Sequence, residues 1–231
     1  MITIQAKVTN MVFLINSNKE YYQVAAPVLI KSLVASGVDK RNIVVVVGGC
    51  ETALKMTIDG VEHNMVNHDS FDMTAFIYVV ENEIDFDSFF FLHDTAEVGK
   101  TFYKDVVQLL EKHKPAKCMR LKEGASMSIG WYDVKSVKQH KDRILEFKNL
   151  DLSSKGLQNA KHNAVDEEDL VFSLIGGKIS KFTNKPPIII KLTELYGKPT
   201  ERRCEFYEEI NLKKYKRSWS RAQHYSIGLF N

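Results

Sequence analysis

The stretch Ser88-Phe89-Phe90-Phe91-Leu92-His93-Asp94-Thr95 places a carboxylate directly behind a run of large apolar residues. So apolar a segment belongs inside a sheet, which holds Asp94 at a strand end, where its oxygens can ligate Mg²⁺ or Mn²⁺. The structural alternative is that Asp94 only caps the helix that follows. Capping alone explains neither His93 nor the polar ends of the other apolar segments, Asn16-Ser17, Gly48-Gly49-Cys50-Glu51 and Asn67-His68-Asp69. A second acidic group, Asp166-Glu167-Glu168-Asp169, stands before Leu170, where acids in a first helical turn favour the macrodipole. Near the end, Lys213, Lys214, Lys216, Arg217 and Arg221 interleave with Tyr215 and Trp219 and lead to His224. Such a stretch can neutralise a diphosphate, touch an anionic membrane surface, or be a solvated basic tail.

The elements that must position these residues follow from periodicity. Val8 to Ile15 reads as a buried strand stopped by Asn16-Ser17-Asn18. Tyr22, Ala26, Leu29 and Leu33 line one helix face, with Pro27 a possible kink and Gly37 the stop. Ile43 to Val47 is β-branched throughout, as in a strand covered on both faces, and Gly48-Gly49 ends it. A weaker strand over Val61 to Val66, a helix over Ser70 to Asn82, the strand Ser88 to Leu92 and a helix from Phe102 closed by Pro115 continue the alternation. That pattern predicts an α/β fold with a mostly parallel sheet flanked by helices. Ligands of such sheets bind beyond the carboxyl ends of the strands, which would bring the polar ends together on one rim. The second half is less regular: a strand over Ser126 to Trp131, a helix from Asp133, a polar loop over Asp151 to Asn163, a helix capped by Asp166, and the apolar run Ile188 to Ile190.

Composition narrows the class. The 231 residues are 44% hydrophobic and 26% charged with a net charge of +3, values of an ordinary globular chain with a core that needs no disulfides. Cys50, Cys118 and Cys204 lie far apart and form no CxxC pair, so neither a disulfide framework nor a zinc site is expected. The run Met11 to Ile15 is too short to span a membrane and no secretory leader is evident, which places the protein in the cytoplasm as an expectation. No G-x-G-x-x-G, G-x-x-x-x-G-K-[ST] or G-x-S-x-G motif is present, which weighs against dinucleotide, P-loop and hydrolase readings. One short basic and aromatic patch without a binding motif is weak support for nucleic acid.

From Val8 to Leu174 the order of elements, with Phe89 to Thr95 and Asp166 to Leu170, resembles the GT-A glycosyltransferases, which use nucleotide sugars. The resemblance implies a single GT-A-like, Rossmann-like domain, with residues 1–115 holding the donor and 116–231 forming the acceptor side and basic tail. It implies that Asp94 matches the last Asp of the family's Asp-x-Asp motif, which binds a divalent metal, Mn²⁺ or Mg²⁺, on the donor diphosphate. Leu92 stands where the first Asp would be; in the shifted frame His93 takes that place and Thr95 the last. The acidic segment looks like the family's Glu-Asp motif, so Asp169, with Glu168 next and Glu167 by another alignment, would take the proton of the acceptor hydroxyl in an inverting enzyme. His224 would be the family's late metal or diphosphate histidine, Asn16 and Glu51 nucleoside contacts or else turn residues, and Gly130-Trp131 a sugar platform or core. The partners implied are a nucleotide sugar and a glycan or other hydroxyl acceptor. Two rivals share the rim carboxylate: a sugar-phosphate nucleotidyltransferase, whose basic Gly-rich loop Asn16-Ser17-Asn18-Lys19 does not supply, and a non-catalytic nucleotide-sugar or glycan-binding domain.

Overall fold

The computed structural model describes residues 10–70, 72–114, 117–121, 128–149, 189–190, 194–196 and 203–216. The first strand, β1 (Met11–Asn18), is buried over nearly its whole length, with Leu14 and Ile15 fully enclosed. It runs three residues past the apolar segment because Asn16, Ser17 and Asn18 still find register partners in the neighbouring strand. Helix α1 (Tyr22–Ala35) follows and passes through Pro27 without interruption. Strand β2 (Ile43–Gly48) has every residue buried, as its β-branched run requires. A hairpin comes next, β3 (Leu54–Ile58) and β4 (Val61–Met65), turned at Asp59 and Gly60, both at positive φ. Helix α2 (Met73–Glu81) leads to β5 (Ser88–His93), a short β6 (Ala96–Val98) and α3 (Phe102–His113), which ends at Lys114 in a left-handed cap just before Pro115. Then come β7 (Cys118–Leu121), β8 (Gly130–Asp133), α4 (Val134–Lys138) and α5 (Lys141–Glu146), with the Asp133 side chain capping α4 at Ser136. Four more strands are β9 (Ile189–Ile190), β10 (Glu194–Tyr196), β11 (Arg203–Tyr207) and β12 (Leu212–Lys216).

Eight strands form the main sheet in the order β3-β4-β2-β1-β5-β8-β7-β9. The stretch β4-β2-β1-β5 is parallel, whereas β3, and β8 against both of its neighbours, run antiparallel. The second half therefore departs from the alternating β-α pattern, since β7 and β8 pair directly and antiparallel. Gly130 permits this pairing: a Cβ there would stand 2.1 Å from the Met119 carbonyl oxygen. A second, four-stranded sheet has the order β10-β11-β12-β6. Periodicity did not announce it, because β6 has only three residues and β12 reads as part of the basic tail.

The strand alternation of β5 splits the core between two layers. Phe89 and Phe91 pack on Phe76 of α2, with ring centroids 5.6 and 4.9 Å away, while Phe90 meets Phe102 of α3 edge to face at 5.6 Å. Helix α2 shares its side with α4 and α5, and α1 packs on β1 and β6. Fully buried aromatic pairs of this kind add roughly 0.5–1.5 kcal/mol each beyond their area. The sheet is thereby clamped from both faces, which fixes the ends of β1 and β5 relative to each other.

Candidate functional site

The chain visits β1, β2 and β4 outward in one direction and then returns to place β5 on the other side of β1. The crevice between the carboxyl ends of β1 and β5 is thus the topological switch point, where open α/β sheets bind their ligands. Asn16 and His93 are register partners there, and the Asp94 amide donates to the Asn16 carbonyl at 3.1 Å. Asp94 is 2% exposed, and its carboxylate accepts the Ser17 hydroxyl at 2.5 Å. Burial pushes the Asp94 carboxyl up to about 7, against the opposing pull of Ser17, of the Lys214 ammonium and of the Thr95 amide.

Lys214 arrives from the second sheet. Strand β12 lies antiparallel to β6, with Lys214 in register with Ala96, and the Tyr215 amide donates to the Thr95 carbonyl at 3.0 Å. This turns the Lys214 side chain inward, only 8% of the residue exposed, so that its ammonium donates to the Thr95 hydroxyl and, at 3.2 Å, to the Tyr215 carbonyl. A lysine so enclosed keeps its charge only beside acids, and here it feels both Asp94 and Asp72.

Asp72, at the start of α2, extends the cluster. Its carboxylate takes the Ser128 hydroxyl at 2.8 Å and lies 3.2 Å from His93 Nε2, which also sits 2.9 Å from the Ser128 hydroxyl. Burial raises the Asp72 carboxyl, but His93, Ser128 and Lys214 together hold it below its ordinary value. The two carboxyls are therefore shifted in opposite directions, Asp72 down and Asp94 up. Such a divergence is a mark of sites built for charge handling.

The neighbouring loops close on the same rim. The Lys19 amide donates to the Gly48 carbonyl and the Gly49 amide to the His68 carbonyl. A Cβ on Gly49 would lie 3.6 Å from Asp69 and 3.9 Å from Lys19, so the loops after β1, β2 and β4 converge. His68 is buried, with Nε2 at 3.4 Å from the Thr74 carbonyl, and burial lowers its imidazole.

Of the residues singled out from sequence, Asn16, His93 and Asp94 meet at the switch point. Asn16 works locally as a helix cap, its side-chain oxygen accepting the Ala75 amide of α2 at 3.0 Å. Glu51 is exposed on the loop after β2. Gly130 and Trp131 belong to β8, and Trp131 is 3% exposed in the core, so it offers no open platform. Glu168, Asp169 and His224 lie outside the described residues. Sequence reasoning passed over Asp72, Ser128 and the inward face of Lys214. The alternation Leu212-Lys213-Lys214-Tyr215 gives no hint of Lys214, since a lysine between a lysine and a tyrosine reads as surface.

Among the described residues no group of three His, Cys, Asp or Glu side chains could hold a metal ion. Around Asp94 the described side chains supply a hydroxyl and an ammonium rather than further carboxylates, a poor donor set for Mn²⁺ or Mg²⁺, while His224 lies outside the described residues.

The architecture is an α/β sheet with a polar switch-point crevice, the class that the GT-A resemblance implied. The solved structures that it resembles include S. aureus TarS 1-349, at 13% identity and a TM-score of 0.39 over 56% of this chain and 49% of that one. They include the same protein in complex with UDP, at 14% identity and a TM-score of 0.40 over 61% and 53% of the two chains, and in complex with UDP-GlcNAc, at 13% and 0.39. This chain spans about half the length of those TarS chains. No protein-family model and no curated protein matches the sequence.

Proposed function

We propose that this protein is a glycosyltransferase that moves a sugar from a nucleotide-diphosphate sugar to an acceptor hydroxyl, with the donor diphosphate at the β1–β5 crevice. The observation that carries this is the buried Asp94 and Lys214 with the half-buried Asp72 beside them at the switch point, together with the GT-A resemblance of the sequence. In this reading the ammonium of Lys214 contributes positive charge behind the departing diphosphate, a preorganised field in a water-poor site. The bond from the anomeric carbon to the diphosphate oxygen breaks with its electron pair left on that oxygen. The acceptor oxygen bonds to the anomeric carbon and gives its proton to Asp169, or to Glu168 in the alternative assignment. No step is drawn through a metal.

Within the same proposal residues 1–115 hold the donor and 116–231 the acceptor side of one domain, working in the cytoplasm. The exposed Lys213 and the basic residues after it meet an anionic membrane surface, while Lys214 faces inward and is not part of that contact. A binding module without turnover is the second reading, favoured by the engagement of Asp94 with Ser17 and Lys214.

The test is a nucleotide-sugar panel assayed for transfer and hydrolysis, with EDTA and with Mn²⁺, on the wild type, Asp94→Ala, Asp169→Asn and Glu168→Gln. Turnover that survives EDTA, falls at least a hundredfold in Asp94→Ala, and falls in one acidic variant with donor affinity kept is the expected result. Undiminished turnover in Asp94→Ala would remove that residue from the site. Donor binding without turnover across the panel would favour the binding module.

A further inference from the structure

A cavity lies away from the switch point, on the face of the sheet that α1 covers. It encloses about 550 Å³ between α1 and the β3–β4 hairpin, within the range of roughly 300–1,000 Å³ usual for small-molecule sites. Its lining on α1 extends from Tyr22 to Val34, a run of roughly 18 Å at 1.5 Å per residue. Ile30, Val34, Ile58 and Val61 give it apolar walls. Ile58 and Val61 are register partners, as are Met56 and His63 and Leu54 and Met65, so the apolar residues of β3 share the face of the cleft. Leu54 and Ile58, exposed at 52% and 40%, continue the apolar surface out of it.

The two ends of the cleft differ. At one end Tyr22 meets His63 edge to face at 5.6 Å, and burial lowers the His63 imidazole, which leaves that end uncharged at neutral pH. His63 is 4% exposed and its Nδ1 has no hydrogen-bond partner. At the other end stand Lys31 and Lys40, with the stem of Lys40 lying over the turn so that a Cβ on Gly60 would be 3.8 Å away. Neither lysine makes an ion pair among the described residues, although the Asp59 carboxylate belongs to the same end. Two lysines against one acid leave that mouth net positive.

From this polarity we infer that the cleft binds a single-chain amphipathic anion, its alkyl chain along Ile30, Val34 and Ile58 toward Tyr22 and its phosphate or carboxylate head at Lys31 and Lys40. The inference is independent of the glycosyltransferase proposal, since it uses none of the switch-point residues. Charge at one end and an apolar, elongated interior select this ligand over a nucleotide, which needs polar partners along its length, and over a neutral lipid.

The experiment is calorimetric titration of the full chain with dodecyl phosphate below its micelle concentration. Saturable one-to-one binding is expected, weakened at least tenfold for dodecyl maltoside, at least tenfold by Lys31→Glu with Lys40→Glu, and retained by the paired Lys→Arg changes. Val34→Trp, which fills the cleft, should abolish binding while thermal unfolding shows the variant folded. UDP should not compete. Absence of saturable binding to the wild type, equal affinity in the double Lys→Glu variant, or undiminished binding in folded Val34→Trp would each overturn the assignment. So would association with phosphatidylglycerol vesicles without any binding of dodecyl phosphate, which would mark a flat membrane-contact face. A concentration-dependent dimer lost on Leu54→Asp, without binding of the probe, would assign the surface to a second copy instead.

Discussion

Lys214→Met removes an ammonium that acts on both acids of the switch point while keeping most of the side-chain volume. Leaving a buried charge without its counter-charge costs up to roughly 3–5 kcal/mol, because that charge stays desolvated. Asp94 has a way out that Asp72 lacks. Its carboxyl is already raised to about 7 by burial, so the folded protein holds a proton there that the unfolded chain releases near its ordinary value of 3.8. Stability contributed by this group is greatest at low pH and declines as pH rises from about 4 through about 7. Loss of Lys214 removes an influence that lowers Asp94, so the carboxyl climbs further and the decline, at about 1.4 kcal/mol per unit, extends to higher pH. Urea unfolding should therefore show Lys214→Met costing about 3–5 kcal/mol at pH 8.5 and about 2 kcal/mol less at pH 5.5, where Asp94 is protonated. In an Asp94→Asn background the same change should lose its extra cost at high pH, a coupling of at least about 1 kcal/mol in the double-mutant cycle. An equal cost at both pH values, or no coupling with Asp94→Asn, would refute the ion-pair account of the site.

Asn16→Ala deletes a cap that reaches α2 from a different strand, and thermal unfolding should show a loss of about 1–2 kcal/mol, with Asn16→Asp recovering most of it. Gly130→Ala puts a methyl group against the Met119 backbone; a cost above about 3 kcal/mol, seen as a fall in soluble yield and in Tm, is expected because the obstacle is main chain rather than a side chain that can turn away. Ser128→Ala should raise the Asp72 carboxyl, followed by its side-chain NMR signal, by removing the hydroxyl that helps hold it down, and an unmoved titration would show that the two are not coupled.

How far the sequence could be read depended on whether a residue's burial agreed with its type. Phe89 to Leu92 and Ile43 to Val47 are buried because they are apolar, so their strands, and the rim at their ends, were legible. The short β3 was not, because its residues alternate Leu, Lys, Met, Thr, Ile on an exposed edge and no apolar run marks it. β12 was misread as tail for the opposite reason: its decisive residue, Lys214, is buried against its type, held there by strand pairing and by acids more than a hundred residues earlier. Asp72 and Ser128 meet His93 only through the packing of α2 and of the segment before β8 on the end of β5, a long-range coincidence that spacing along the chain does not encode. For Trp131, which position alone left open between sugar platform and core, the strand decides for the core, at 3% exposed.

The union of Thr95 with Lys214 joins residues 119 apart, and this orders events in time. On a ribosome adding about 5–20 residues each second, some 6–24 s separate the synthesis of the two. Through that interval the parallel sheet can assemble, yet the carboxyl of Asp94 has no ammonium to answer it. A nascent chain at this stage would carry the strands around Asp94 without their counter-charge, which β12 brings when it pairs with β6.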